Sequence, residues 1–387
     1  MSAFAQSTVT LTGNIDVAGS NSTGTQLITT GKTFSTTTGT SSTSVIKLTV
    51  VEDLGGGMKV TGLYGLDPRT LANDSYGVTL NTGATGAGAN GKTLGNTATG
   101  LARDEFYVGL SGDFGNVRLG AANSIGLETT GASSPLGTAT GSGYAPNSGV
   151  GMNSIVNTRY SRSIRFDSPT IAGFTASVQY APGNDVATAT PVAVTAGDST
   201  ALGIVNARKT TEIGLKYANG PLNVSIASIK QAEQTTNKTG WYSGALTQAL
   251  AETSATVWAA SYALPTNTTV YIGGNSGDRL ASVASTVGAA VKSKGNRVAV
   301  KQTVGQWDLI AQHTTQTAAG IDAATGKYDQ ADVKAKITGA TALYNLSKTA
   351  ATYVAYEKFD TGMTYATAVA GATGDRKIVS IGLRKQF

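Results

Sequence analysis

From end to end this chain alternates apolar and polar residues at a period of two, and the alternating stretches are joined by connections of alternating length. Thr8 to Val17 sets the pattern. Val9, Leu11, Ile15 and Val17 fall on one face with Gly13 among them, and Thr8, Thr10, Thr12, Asn14 and Asp16 fall on the other. Gly173 to Tyr180 repeats it, with Phe174, Ala176, Val178 and Tyr180 against Thr175, Ser177 and Gln179. Period two with one wholly polar face is the signature of a strand between two unlike environments. No stretch shows convincing helical periodicity.

Tight reversals carrying Gly, Asn, Asp or Pro stand at 52–57, 113–115, 168–173, 219–221, 264–268, 304–306 and 346–350. Between these hairpins lie long polar segments at about 18–43, 67–102, 124–157, 182–209, 232–253, 276–293, 316–334 and 359–375. Eight long segments and seven short turns separate sixteen strands and put both termini on the short-turn side. So many long connections argue against a compact water-soluble domain, whereas long loops at one end and short turns at the other suit an outer-membrane barrel. Lipid offers the backbone no hydrogen-bond partner, so spanning strands must close on themselves. The expected fold is an all-β transmembrane antiparallel barrel of sixteen strands, one domain over 6–387.

Composition agrees. Charged residues are 13% of the chain, about half the share of a soluble domain. No run approaches the roughly eighteen apolar residues of a membrane helix. There is no Cys and one His, His313, so disulfides, thiolate chemistry and zinc-finger sites are excluded, and His313 lacks companions for a metal site. No serine sits in a nucleophile elbow and no carboxylate pair has catalytic context, so neither enzymatic activity nor a cofactor is expected. Gly86 to Gly91 fits a dinucleotide-binding glycine pattern but follows no strand and opens no helix. Lys and Arg are not clustered and lack an aromatic platform, which speaks against nucleic acid.

The pleat decides which charges face the lumen. Val117 and Leu119 point to lipid, so Arg118 points inward. Ile164 and Phe166 turn Arg165 inward, and Arg159 shares its face. Ile46, Leu48 and Val50 turn Lys47 inward, Val298 and Val300 do the same for Arg297 and Lys301, and Arg384 sits opposite Leu383. An unpaired charge facing lipid near the midplane costs about 2–4 kcal/mol. Segment 124–157 carries one acid, Glu128, and the net charge is +6. Rings of Arg or Lys select anions. Arg165, Arg118, Arg159, Lys47 and Glu128 are therefore the candidate pore-lining residues, and each of the four cations has the plainer alternative of being a lumen or rim residue paired with an acid such as Asp167 or Glu212. Trp258, Tyr262 and Trp307, near strand ends, are candidate interface anchors.

The two ends carry signals of their own. Ala3-Phe4-Ala5 has the small-residue form of a secretory cleavage site, so residues 1–5 read as the remnant of a removed signal. In the last strand Val379, Ile381, Leu383 and Phe387 share a face that Lys385 interrupts, and the chain ends on an aromatic residue suited to the membrane interface.

Several stretches resemble the trimeric general porins of Gram-negative bacteria, most of all those of betaproteobacteria. They are Gln6 to Leu11, Glu52 to Gly57, Tyr107 to Gly115, Ser163 to Pro169, Tyr217 to Leu222 and Gly382 to Phe387, in order and over essentially the whole chain. The resemblance implies an outer-membrane homotrimer of sixteen-stranded barrels that passes small hydrophilic solutes. It also implies a third loop, 124–157 by order, folded into the lumen as a constriction, with Pro135-Leu136-Gly137 in place of a family turn that carries Phe. Phe387 would be read by the barrel-assembly machinery. Arg165 matches a basic family position. Val45, Asp104 and Ala121 stand where an Arg is usual, and Lys47, Arg103 and Arg118 lie nearby to substitute. The expected function is passive diffusion with a preference for anions. The rivals are a channel with a true binding site for an organic acid or phosphate, and a structural or adhesive β-rich surface protein, which lacks the fixed-length repeat it would need.

Overall fold

The computed structural model describes residues 7–26, 29–67, 103–143, 156–160, 162–183, 209–232, 234–236, 248–250, 252–281, 289–320, 330–360 and 376–387. The expected signal remnant at 1–5 and the glycine pattern at 86–91 lie outside them. The strands are β1 (Ser7–Gln26), β2 (Thr29–Thr38), β3 (Val45–Gly55), β4 (Met58–Leu66), β5 (Arg103–Gly112), β6 (Gly115–Ala121), β7 (Ser163–Asp167), β8 (Phe174–Pro182), β9 (Lys209–Asn219) and β10 (Leu222–Gln231). A small hairpin follows, β11 (Gln234–Thr236) with β12 (Gln248–Leu250). Then come β13 (Thr253–Ala263), β14 (Thr268–Ala281), β15 (Ala289–Val304), β16 (Trp307–Gly320), β17 (Gln330–Asn345), β18 (Ala350–Asp360) and β19 (Arg376–Gln386). One helix, α1 (Ile125–Gly131), follows β6.

Each wall strand pairs antiparallel with its sequence neighbours, and β1 pairs with β19 to close the ring. On its other side β1 meets β3 over Ser7 to Asn14 and β2 over Val17 to Gln26. β2 and β3 thus act as one wall strand broken at 39–44, and the wall counts sixteen strands, as expected. All seven short turns fall where the sequence places them. They reverse tightly because Gly220 and Gly305 take φ of 56° and 59°, a region that costs Gly nothing.

The other end differs in extent. The polar segments expected at 18–43, 276–293 and 316–334 are largely strand, since β1, β14, β15, β16 and β17 run well into them. Above the lipid-facing zone both faces of a strand meet water. Thr, Ser and Gly can continue the ladder there without apolar alternation, so the sequence carries no signal of it.

Burial is inverted relative to a soluble protein. Val9, Leu119 and Ile381 are 65%, 53% and 63% exposed, while Asp16, Glu212 and Gln316 are at most 1% exposed. An apolar outer band around a polar interior is the build of a barrel that spans a membrane. Aromatic pairs sit on the outer face near strand ends, Phe174 with Tyr217 at 4.6 Å and Trp307 with Tyr344 at 4.8 Å. Phe387 closes the ring. Its N–H donates to the Gly13 carbonyl and its own carbonyl accepts from Gly13 N–H. Its ring fills the space over Gly13, where an added Cβ would lie 2.4 Å from the ring.

Candidate functional site

The segment after β6 leaves the wall through a narrow neck. Ser124 N–H donates to the Thr158 carbonyl at 3.0 Å, the Ser124 hydroxyl reaches the Asn157 carbonyl at 2.5 Å, and Asn123 bridges to Arg159. Ser124 also caps α1, accepting from Leu127 N–H at 2.9 Å.

The described part of this segment, 124–143, packs on inward-facing side chains from both sides of the barrel. Ile125 and Leu127 join Val156, Ala227, Ile229, Ala255 and Val257 in one buried cluster on β10 and β13. Gly214 of β9 makes room for Ile125, since a Cβ there would lie 2.4 Å from its Cγ2, and Gly273 of β14 does the same for Ser133. Glu212 accepts from Gly126 N–H at 2.9 Å and from the Tyr160 hydroxyl at 2.5 Å, which pins the first turn of α1. Further along, Leu136 and Ala139 meet Ile310 of β16. The Ser134 hydroxyl donates to Gln312 at 3.1 Å, and Gln312 donates to the Gly141 carbonyl. Arg297 donates to the Ser133 hydroxyl at 3.2 Å.

All five candidate pore residues come together on the wall beside α1. Arg165 grips both oxygens of Glu128 at 2.8 and 2.6 Å, Asp167 at 2.9 Å and the Asn123 carbonyl at 2.8 Å. Arg118, its register neighbour on β6, takes the other oxygen of Asp167 and lies over the Tyr107 ring at 5.5 Å. Lys47 reaches Glu105 at 2.8 Å and Asp104 at 3.4 Å, and Arg159 takes the second oxygen of Asp104. Each of the four cations is paired with an acid, as in the plainer alternative. Arg165 is only 4% exposed and is spent on Glu128 and Asp167. Lys47 and Arg159 keep 27% and 21% of their side chains open.

Several contributors were not found from sequence. Asp104 and Glu105 are adjacent yet both buried among these cations, because the ladder between β4 and β5 shifts register between Tyr64 and Leu66. A strict alternation count cannot anticipate such a bulge. The break at 39–44 is another. Asp16 accepts from Ser41 N–H at 2.8 Å, the Ser41 hydroxyl at 2.6 Å, Ser42 N–H at 2.8 Å and the Tyr353 hydroxyl at 2.5 Å. The break in turn reaches the segment after α1, where Thr40 accepts from Gly141 N–H at 3.0 Å. Its only sequence signal is a run of Ser, Thr and Gly, which also reads as an ordinary loop. The side chain of Arg103 lies outside the described residues. His313 sits on β16 against the Thr338 hydroxyl at 2.8 Å, and no metal-ligating cluster occurs among the described residues.

A closed barrel with an apolar exterior, a polar interior and an ion-paired wall beside a bridging segment belongs to the class of outer-membrane β-barrels. The sequence pattern of the Gram-negative porin family matches residues 1–364, and the chain belongs to that family. Over 93 residues it is 38% identical to the major outer membrane protein P.IB of Neisseria gonorrhoeae, a match covering 24% of this chain and 26% of that relative. The matched stretch thus spans about a quarter of the relative's length. In fold it is similar to an anion-selective porin from Comamonas acidovorans, with TM-score 0.68 and 19% identity over 99% of this chain and 100% of that one. It is also similar to the trimer form of OmpT from Vibrio cholerae, with TM-score 0.62 and 12% identity over 98% and 99% of the two chains.

Proposed function

We propose that this protein is a homotrimeric diffusion porin that passes small hydrophilic solutes and prefers anions, with 124–157 as the lumen-folded third loop that narrows the path. The observation that carries the reading is the charge of that loop. Its one acid, Glu128, is consumed by Arg165. The loop sequence therefore brings no acid beyond that paired carboxylate, which keeps 44% of its side chain open, while Lys47 and Arg159 keep 27% and 21% open on the wall. Charges in a narrow, partly desolvated passage interact at an effective dielectric well below that of water, so a unit pair at about 4 Å is worth a few kcal/mol rather than one. The fold neighbour described as anion-selective agrees with this sign.

Arg165 is assigned a positioning role. It fastens α1 to the wall, and permeating ions meet mainly Lys47, Arg159 and Arg118. No group transfer is asked of any residue, in keeping with a channel. Phe387 acts in assembly: deleting it lowers outer-membrane yield while surviving channels conduct normally, and full yield after deletion refutes that role.

Single-channel recording in planar bilayers tests the pore itself. Purified protein should insert in steps that resolve into three equal closures, with current linear in solute concentration. Protein that never raises bilayer conductance would refute the reading. Current that saturates at low concentration of one organic acid or phosphate would favour the selective-channel rival.

A further inference from the structure

The ladder between β1 and the broken second wall strand is interrupted by more than a common bulge. Val17 pairs with Thr38 and Asn14 with Val45, so Ile15 and Asp16 stand opposite six residues, Gly39 to Ser44. A common bulge sets two residues against one. The excess here is four residues, an even number, so β2 and β3 keep one pleat phase across the break. Thr37 and Lys47 pair with Ala18 and Thr12, which lie on the same face of β1 as Asp16.

Backbone groups in 39–44 that lose ladder partners are taken up by β1 instead. The Asp16 carboxyl group accepts from Ser41 N–H, Ser42 N–H and the Ser41 and Tyr353 hydroxyls, all neutral donors. Its carbonyl accepts from Gly39 N–H at 3.1 Å and from the Ser44 hydroxyl at 3.2 Å. Its N–H donates to the Ser44 hydroxyl at 2.9 Å, and the Asn14 amide donates to the Thr43 carbonyl at 3.0 Å. Tyr353 of β18 reaches Asp16 across β19 because Gly382 is bare there. An added Cβ at Gly382 would lie 2.3 Å from the tyrosine ring. On the same side Gly141 N–H donates to the Thr40 carbonyl at 3.0 Å, and a Cβ at Gly141 would lie 2.4 Å from that oxygen. Within the bulge Ser42 and Thr43 are half-buried and the other four residues are buried.

We propose that 39–44 is a second inward-folded element of the constriction and that Asp16 is its positioning residue. This rests on the reading of 124–157 as the loop that narrows the path. Arg165 and Glu212 seat the near end of that loop at α1. The bulge seats the stretch beyond α1 through Thr40, and Lys47 follows the bulge three residues later on the same chain. The path is thus held to width at two places. One buried side chain organises the whole excursion, so removing it leaves several backbone donors without a partner at once. Ser42 and Thr43 are the bulge residues that permeating solutes meet.

The test uses the full-length chain in planar bilayers, with chloride current and neutral polyethylene glycols of graded size as probes. Asp16→Ala removes the acceptor. Deleting Thr40 to Thr43 removes the excursion and, being an even deletion, leaves an unbroken ladder in phase. Both variants should pass larger polymers than wild type, and the deletion should raise single-channel conductance roughly twofold. Their heat-sensitive mobility in SDS gels should persist. A deletion variant that folds and keeps the wild-type conductance and polymer cut-off would overturn the proposal. Ser42→Cys gives a reading that needs no altered ladder, because the chain has no other thiol. A methanethiosulfonate reagent bearing a sulfonate, added to open channels, should lower the current in steps. Complete labelling by mass with unchanged current, or a thiol that stays unlabelled, would overturn the proposal as well. Arg165→Gln separates the two readings. If it widens the channel while the deletion and the label do nothing, the third-loop reading stands and the role of the bulge falls. If none of the three alters the channel, the third-loop reading itself fails.

Discussion

The two walls that hold segment 124–143 do so by different physics. On the side of β3–β9 a charged contact, Arg165 with Glu128, joins the segment to the wall, and it stands beside ion pairs outside the segment: Arg165 and Arg118 with Asp167, Lys47 with Glu105, and Arg159 with Asp104. On the side of β14–β17 the contacts are neutral or apolar: Gln312 with Ser134 and Gly141, Ile310 with Leu136 and Ala139, and Ile337 close beside Gly143. Arg297, the basic residue on that side that touches the segment, donates to a serine hydroxyl. The difference gives charge two jobs under the proposed function: buried pairs fix the geometry, and the partly open cations beside them set the field.

If the charged side is the stronger anchor, breaking it should matter most. Arg165→Gln leaves Glu128 and Asp167 without their shared cation. The loss should be about 3 kcal/mol of seating energy, the lower end for a buried pair because Glu128 is partly open to water. Single channels should become noisier, conduct more and close at lower voltage, while the chloride preference changes little. A large selectivity change at constant conductance would show instead that Arg165 lies on the ion path.

Gly214→Val tests the same side without touching charge. Overpacking against Ile125 should cost about 1–3 kcal/mol and loosen α1. Conductance should rise less than in Arg165→Gln, and the trimer on unheated gels should persist. Unchanged conductance and noise would mean that α1 does not seat where Gly214 admits it.

The neutral side should give the smallest effect. Gln312→Ala removes hydrogen bonds to Ser134 and Gly141, each worth about 1 kcal/mol net. A modest increase in current noise at unchanged mean conductance is expected. An effect as large as that of Arg165→Gln would erase the asymmetry between the walls.

Strand number, turns and pleat were legible because lipid on one face and water on the other force a period of two, and tight turns demand particular residues. The upper strand ends were not, since β14 to β17 continue where both faces are wet and apolar alternation ceases. The cations, Glu128 and Asp167 were legible in the sequence, and the pairing roles of Asp104 and Glu105 were not. Arg118, Arg165 and Lys47 each follow a simple in-out count, whereas Asp104 and Glu105 face the same cations only through a register shift at Gly65. The pairing of Arg165 was open in the sequence, and only the position of α1 decides it. The broken second wall strand at 39–44 was hidden for a related reason: its partner, Asp16, reads as one more polar residue on the inner face of β1.

The most direct test is the reversal potential of the wild-type channel across a KCl gradient at low ionic strength, repeated near 1 M. The account predicts a chloride preference that weakens as the Debye length falls to about 3 Å, and that Lys47→Glu shifts toward potassium. A wild-type preference for potassium would contradict it.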